Sequence, residues 1–172
     1  VDQDIADEPA DLLLKRIAIL DVVTLAALYT LRIIAGAVAI AVPVSFWLLA
    51  FSMFLFLSLA MVKRYTEIAQ VAASGAEGVS GRGYAASDLG LIQSLGTASG
   101  YLAVLVFALY IDSTASEALY TQHHFLWILA PLLLYWIGRV WLLARRGQMH
   151  DDPVVFAMTD RVSLAVLVIF VL

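Results

Sequence analysis

Apolar positions in this chain come in long uninterrupted blocks, neither alternating nor following a one-sided helical stripe. The blocks run approximately from Ile17 to Val42, Phe46 to Val62, Leu89 to Ile111, Phe125 to Ala144 and Val162 to Leu172. A hydrocarbon core of about 30 Å takes roughly 20 helical residues at about 1.5 Å each, and four of the five blocks reach or approach that length. The fifth reaches only about 16 Å as a helix, which predicts either a span that stops midway or a chain that once continued. The first block is too long for the apolar region of a signal peptide and follows an acidic flank. The pattern predicts an all-α polytopic transmembrane helical bundle of about five spans, with residues 1–16 as an acidic leader and residues 17–172 as the membrane domain.

Composition agrees with that reading: of 172 residues, 63% are hydrophobic and 14% charged, with a mean hydropathy of +0.93. A soluble domain averages about a quarter charged, and one of this size could not hide so much apolar surface from water. The net charge of -4 and the absence of a basic stripe argue against nucleic acid as a partner. With no cysteine, thiolate metal sites, disulfides and cysteine nucleophiles are excluded.

Charge also predicts orientation. If the blocks alternate across the bilayer, Lys15, Arg16, Lys63, Arg64, Arg82, Arg145, Arg146 and Arg161 fall on one side, and the connections around Pro43 and from Asp112 to His124 carry no lysine or arginine. Basic residues are retained on the cytoplasmic face. The long polar segments, Lys63 to Asp88 and Arg145 to Arg161, are therefore expected in the cytoplasm. Trp47, Tyr110, Tyr120 and Trp127, near the outer ends, read as interfacial anchors. His123, His124 and His150 have no third ligand in the sequence pattern and read as interfacial too.

Asp21, Arg32 and Arg139 lie inside apolar blocks, where a charge near the middle of a span costs about 2.5–3.5 kcal/mol. Asp21 and Arg32 share a helix face about 16 Å apart, so they do not pair. Arg32, with Tyr29 one turn away, is expected to line a polar cavity. Snorkelling or an ion pair between helices would suffice for Asp21 and Arg139. Gly36 and the GTASG string at Gly96 to Gly100 are expected at close helix contacts.

The second block ends in LAMVKRYTEIAQ. Lys63 and Glu67, at i and i+4, are expected to form a solvated salt bridge. Beside them lies SGAEGVSGRGYAASD, whose glycines 75, 78, 81 and 83 let backbone N–H groups turn toward an anion that Lys63, Arg64 and Arg82 would neutralise. A flexible connector explains the same glycines. Asp151, Asp152 and Asp160 could add metal ligands, and Asp160 with Arg161 could equally start the last helix.

Three ordered strings, LDVVTLAALYTLRIIAGAVAIAVPVSFWLLAFSMFLFLSLAMVKRYTE, GRGYAASD and MHDDPVVFAMTDRVS, resemble the C-terminal half of the UbiA superfamily of membrane prenyltransferases. The branch is the one often fused behind a haloacid-dehalogenase-like domain, more distantly similar to decaprenyl-phosphate phosphoribosyltransferases. The resemblance runs from around Leu14 to the end and implies a bundle of nine spans, truncated here to about the last five. It also implies a central cavity in which magnesium and polar loops hold a prenyl diphosphate. Where the family has a second aspartate cluster, this chain has KRYTE and GRGYAASD, so cationic contact with phosphate would partly replace magnesium bridging. Asp4, Asp7 and Asp11 fit the spacing of the family's first motif, with Gln3 in place of asparagine, and could converge on Mg2+. The spans expected after that motif are missing, and an acidic leader matching by coincidence explains the spacing as well.

On this reading the protein is a fragment of a Mg-assisted transferase that moves a prenyl group from a prenyl diphosphate to an acceptor. Lys63, Arg64 and Glu67 would be catalytic, Arg32, Tyr29, Arg82, Tyr84 and Asp88 would bind substrate, and Asp4, Asp7 and Asp11 would bind metal. The alternatives are phosphoribosyl transfer to a polyprenyl phosphate and a catalytically silent membrane protein. The first reading requires Lys63, Arg64 and Arg82 to face one hollow.

Overall fold

The computed structural model describes residues 17–74, 83–114, 116, 123–149 and 152–171. They fold as helices: α1 Leu20–Ala39, α2 Phe46–Ala73, α3 Leu89–Ile111, α4 Leu129–Arg145, α5 Pro153–Thr159 and α6 Arg161–Val171, with 3-10 turns at Ala86–Asp88 and His123–Ile128. Four helical segments, Leu20–Ala39, Phe46–Ala73, Ala86–Ile111 and Leu126–Arg145, are long and apolar enough to cross a membrane. The sequence-predicted fifth block, Val162 to Leu172, falls in α6, whose 11 residues do not meet that length, and α5 forms within the polar segment Arg145 to Arg161 that precedes it.

α2 is the central post, packed against α1, α3 and α4. Its 28 residues rise about 42 Å, longer than a bilayer core of about 30 Å, so the apolar block that ends at Val62 continues as helix past the basic pair. Lys63 and Arg64 thus stand on a rigid rod and not on a loop. The start of α1, the end of α2, the turn before α3 and the residues before α5 meet at this basic end.

Close packing falls where the small residues permit it. A Cβ added at Gly96 would lie 2.2 Å from the Trp141 ring and 2.7 Å from Met61, and one at Gly100 would lie 2.7 Å from Ile137. Ser58 ties the same three helices, accepting from Trp141 Nε1 at 3.1 Å and donating to the Gly96 carbonyl at 2.7 Å. Apolar attraction between helices is weak in lipid, and such backbone approach with a hydrogen-bonded hub replaces it. Gly36 differs from its expectation, because nothing would meet a Cβ there within 4 Å. It lies on the exposed side of α1, where only Val22 and Ala26 are buried.

Trp47 and Tyr110 face each other at 6.5 Å between ring centroids, at the opposite end from the basic pair. At the α4–α6 corner, Arg139 forks onto Asp160 at 2.7 and 3.0 Å. Asp160 also accepts from the Ser163 backbone and hydroxyl, each at 2.9 Å. The Asp160 carboxylate thus both caps α6 and neutralises Arg139, resolving the charge inside the fourth block as an ion pair.

Candidate functional site

At the basic end the chain builds two adjoining arrangements on α2, one around Arg64 and one around Lys63. Consecutive residues on a helix point about 100° apart, so the two cations serve different neighbours.

Arg64 is buried, its side chain 7% exposed, and reaches Asp21 through Nη2 at 2.5 Å and Glu67 through Nη1. Asp21, in the first turn of α1, sits where the helix dipole favours a carboxylate. Its Oδ1 accepts the Tyr84 hydroxyl at 2.6 Å, and that hydroxyl accepts the backbone N–H of Ile19, also at 2.6 Å. The Arg64 guanidinium lies over the Tyr84 ring at 5.4 Å. Tyr84 therefore fastens the turn before α3 to both α1 and α2. Burial first, and then its bond to the Asp21 carboxylate, raise the Tyr84 phenol to about 12; a phenolate there would lose solvation and oppose Asp21. The network is not saturated, because Arg64 Nε is buried without an acceptor and Asp21 Oδ2, though close to the guanidinium, makes no aligned hydrogen bond.

Lys63 turns the other way, to Asp152 at 2.6 Å. This corrects the expected Lys63–Glu67 salt bridge: Asp152, just before α5, takes the ammonium, and Glu67 pairs with Arg64 at i, i+3. Lys63 and Asp152 sit at one end of a slot walled by Leu25 and Tyr29 of α1 and by Phe56, Leu59 and Ala60 of α2. Further along α2, Phe51 and Leu55 line an apolar groove of about 250 Å³ with Leu133, Trp136, Ala157 and Val166. Lys63, Leu59, Leu55 and Phe51 follow one another at four-residue steps, a ridge that rises about 18 Å and winds about 120° around α2, so slot and groove share this helix but open against different neighbours, α1 for the slot and α4 with α6 for the groove.

The remaining candidates divide. Tyr29 lines the slot and stacks on Phe56 at 5.2 Å. Arg32 does not line it; the guanidinium lies on the exposed side of α1, 5.0 Å above the Tyr29 ring. Asp88 accepts the Ala85 N–H at 2.9 Å and closes a local turn. Tyr84 is buried in the Arg64 network, away from an open binding surface. Asp4, Asp7, Asp11, Arg82, His150 and Asp151 lie outside the described residues. Lys63 and Arg64 therefore do not converge on one hollow, and only Lys63 lines the slot. Among the described residues no three histidines or carboxylates come together as a metal site; Asp21, Glu67 and Asp152 each face a cation instead.

Sequence reasoning missed Asp21 as the partner of Arg64 and Asp152 as that of Lys63. The available signal was the cost of Asp21 in an apolar block, which demands a cation from another helix.

Fold and site together define an all-helical protein, compatible with contact with a lipid bilayer, that carries a buried charge network and a lysine-headed slot at one end of its bundle. The chain is 38% identical over 152 residues to an uncharacterized protein, y4nM, of Sinorhizobium fredii, covering 87% of this chain and 29% of that protein. It is 37% identical over 146 residues to nodulation protein NoeC of Azorhizobium caulinodans, covering 85% of this chain and 48% of NoeC. The chain thus spans less than half the length of either relative. No family model and no solved structure matches it.

Proposed function

We propose that this chain is the C-terminal part of a UbiA-type membrane transferase, oriented with its basic end toward the cytoplasm of a bacterial inner membrane. The observation that carries the reading is the Lys63 ammonium at one end of a slot walled by apolar side chains of α1 and α2, with a separate apolar groove further along α2, an arrangement suited to a phosphorylated head with a hydrocarbon tail. In prenyl transfer, Lys63 would stabilise the departing diphosphate as the allylic C–O bond breaks, and the apolar walls would keep water from the carbocation until the acceptor captures it. Asp152 would hold the ammonium in place until phosphate oxygens replace the carboxylate. Arg64 and Glu67 would act as positioning residues, since Asp21, Glu67 and Tyr84 surround the guanidinium.

The carboxylates at the described basic end do not fit a magnesium site, because each faces a cation. Any Mg2+ would be held by Asp4, Asp7 and Asp11, as the resemblance implies, and no step above depends on it. The same pairing favours a second reading, transfer of a phosphoribosyl group to a polyprenyl phosphate. There the lipid phosphate oxygen would form the bond to the ribosyl carbon as diphosphate leaves, with Lys63 steering two anionic substrates.

The test uses the 172-residue chain in phosphatidylcholine nanodiscs, titrated with geranylgeranyl diphosphate and with a polyprenyl phosphate. A charge-assisted contact is worth about 1.5–3 kcal/mol, so Lys63→Met should weaken binding roughly tenfold or more. Membranes supplied with labelled prenyl diphosphate and labelled phosphoribosyl diphosphate then separate the two chemistries by which label enters lipid. Equal affinity in wild type and Lys63→Met would overturn both.

A further inference from the structure

The slot beneath Lys63 leaves about 10 Å³ of free space, no more than one water molecule needs. A headgroup can enter only if a wall moves; Asp152 and Pro153 close one side, and the two long helices that form the other walls differ. α2 is held on several sides by α1, α3 and α4, whereas α1 buries only Val22 and Ala26. α1 is also bracketed by two non-glycine residues in the left-handed region, Ile19 at φ 72° and Ala41 at φ 55°. Cβ crowding there is unfavourable and persists only where surrounding contacts impose it. At Ile19 the imposing contact is visible: its N–H donates to the Tyr84 hydroxyl, which donates in turn to Asp21.

Asp21, Leu25 and Tyr29 follow each other at four-residue steps, so they share one face of α1. Asp21 is fastened to Arg64 and Tyr84, and Leu25 and Tyr29 form the α1 wall of the slot. The height and rotation that the ion pair sets at Asp21 are therefore transmitted rigidly to the slot one and two turns away. Arg64 keeps a buried Nε without an acceptor, so the closed arrangement leaves a donor unsatisfied, and its stability over an open one is correspondingly reduced.

We propose that α1 is a movable wall of the Lys63 slot and that Asp21, Arg64 and Tyr84 form the lock that holds it shut. Release of the Tyr84 hydroxyl lets Ile19 relax, α1 swing about Ile19 and Ala41, and the slot admit the phosphate head of a lipid. Asp21 and Tyr84 are thus positioning residues for that ligand, which they do not touch. The nature of the ligand rests on the function proposed above; the lock does not.

The chain has no cysteine, so spin labels can be placed at will, one at the exposed Leu28 of α1 and one at the exposed Tyr101 of α3. Pulsed electron–electron distance measurements on the full chain in phosphatidylcholine nanodiscs should give one narrow population. Tyr84→Phe keeps the ring and removes both hydroxyl bonds; it should add a longer population and tighten geranylgeranyl diphosphate binding several-fold, because less closed protein must be opened. Ile19→Gly removes the backbone strain of the closed state; it should keep the single narrow population and weaken diphosphate binding, the opposite sign. A Tyr84→Phe distribution that superimposes on wild type while Ile19→Gly also has no effect overturns the lock. Variant distances that shift as expected, with no response of wild type to the diphosphate, support the lock and overturn the headgroup reading of Lys63.

Discussion

Among the described residues two arginine–aspartate pairs join helices, and they are built to different standards. Arg139 and Asp160, with side chains 20% and 17% exposed, make a two-pronged contact, and the same carboxylate caps α6 through Ser163. Arg64 and Asp21, 7% and 5% exposed, are more deeply buried yet less completely bonded, with a guanidinium nitrogen left over and a strained Ile19 next door. A saturated pair at a half-open corner behaves as a staple. An unsaturated pair in a buried place is held by its surroundings and is the one poised to change. Its location beside the Lys63 slot is what gives that difference functional weight.

The sharpest way to break this contrast is to remove the cation from the buried pair. Arg64→Met leaves Asp21 and Glu67 without their guanidinium, and losing one partner of a buried pair costs about 3–5 kcal/mol. Replacing Asp21 by leucine in the same chain removes one stranded charge and should recover a large part of that loss. Reversible unfolding in detergent, followed by circular dichroism for wild type, both single variants and the double variant, measures the coupling directly. A double variant destabilised by the sum of the two single losses would mean that the two residues are not coupled.

The architecture was largely legible from the sequence because lipid imposes a simple rule: long apolar blocks become helices. The close contacts at Gly96 and Gly100 and the α6 cap at Asp160 followed from local chemistry. What the sequence could not show was pairing across distance. Asp21 and Arg64 are 43 positions apart and Lys63 and Asp152 are 89 apart, and nothing in helical spacing says which rotation each side chain takes. Lys63–Glu67 was expected because i, i+4 neighbours are the pairs a sequence displays. Arg32 failed as a cavity residue for a related reason, since sharing a face with Asp21 does not reveal whether a point eleven residues on still meets another helix.

The second contrast is in pH. The Tyr84 phenol is raised to about 12 by burial and by its bond to Asp21. A group whose folded value lies above its unfolded value stabilises the protein fully below the unfolded value, near 10, and that contribution is lost as pH rises from about 10 to 12. Tyr84→Phe should therefore lose about 1–3 kcal/mol at neutral pH, the cost of two buried hydrogen bonds. It should also lack the alkaline decline that wild type shows over that interval. Thermal unfolding from pH 8 to 12 on both proteins reads the difference; parallel curves would remove Tyr84 from the lock.

Asp160 gives the opposite limb and the smallest effect. Burial alone would raise its carboxyl, but the Arg139 fork and the two Ser163 bonds outweigh burial and hold it below the ordinary carboxylate value. A lowered folded value contributes stability above the unfolded value, near 4, and that contribution disappears as pH falls through the folded value. Asp160→Asn keeps a side chain that can cap α6 and loses the charge facing Arg139, which should cost about 1 kcal/mol at pH 7. Its stability should converge on that of wild type as pH falls below about 4. Because the staple is saturated and none of Arg139, Asp160 and Ser163 lines the slot, the same substitution should leave the α1–α3 spin-label distances unchanged. A shift there would mean that both arginine pairs set the position of α1, and the division of the molecule into a fixed corner and a releasable one would fail.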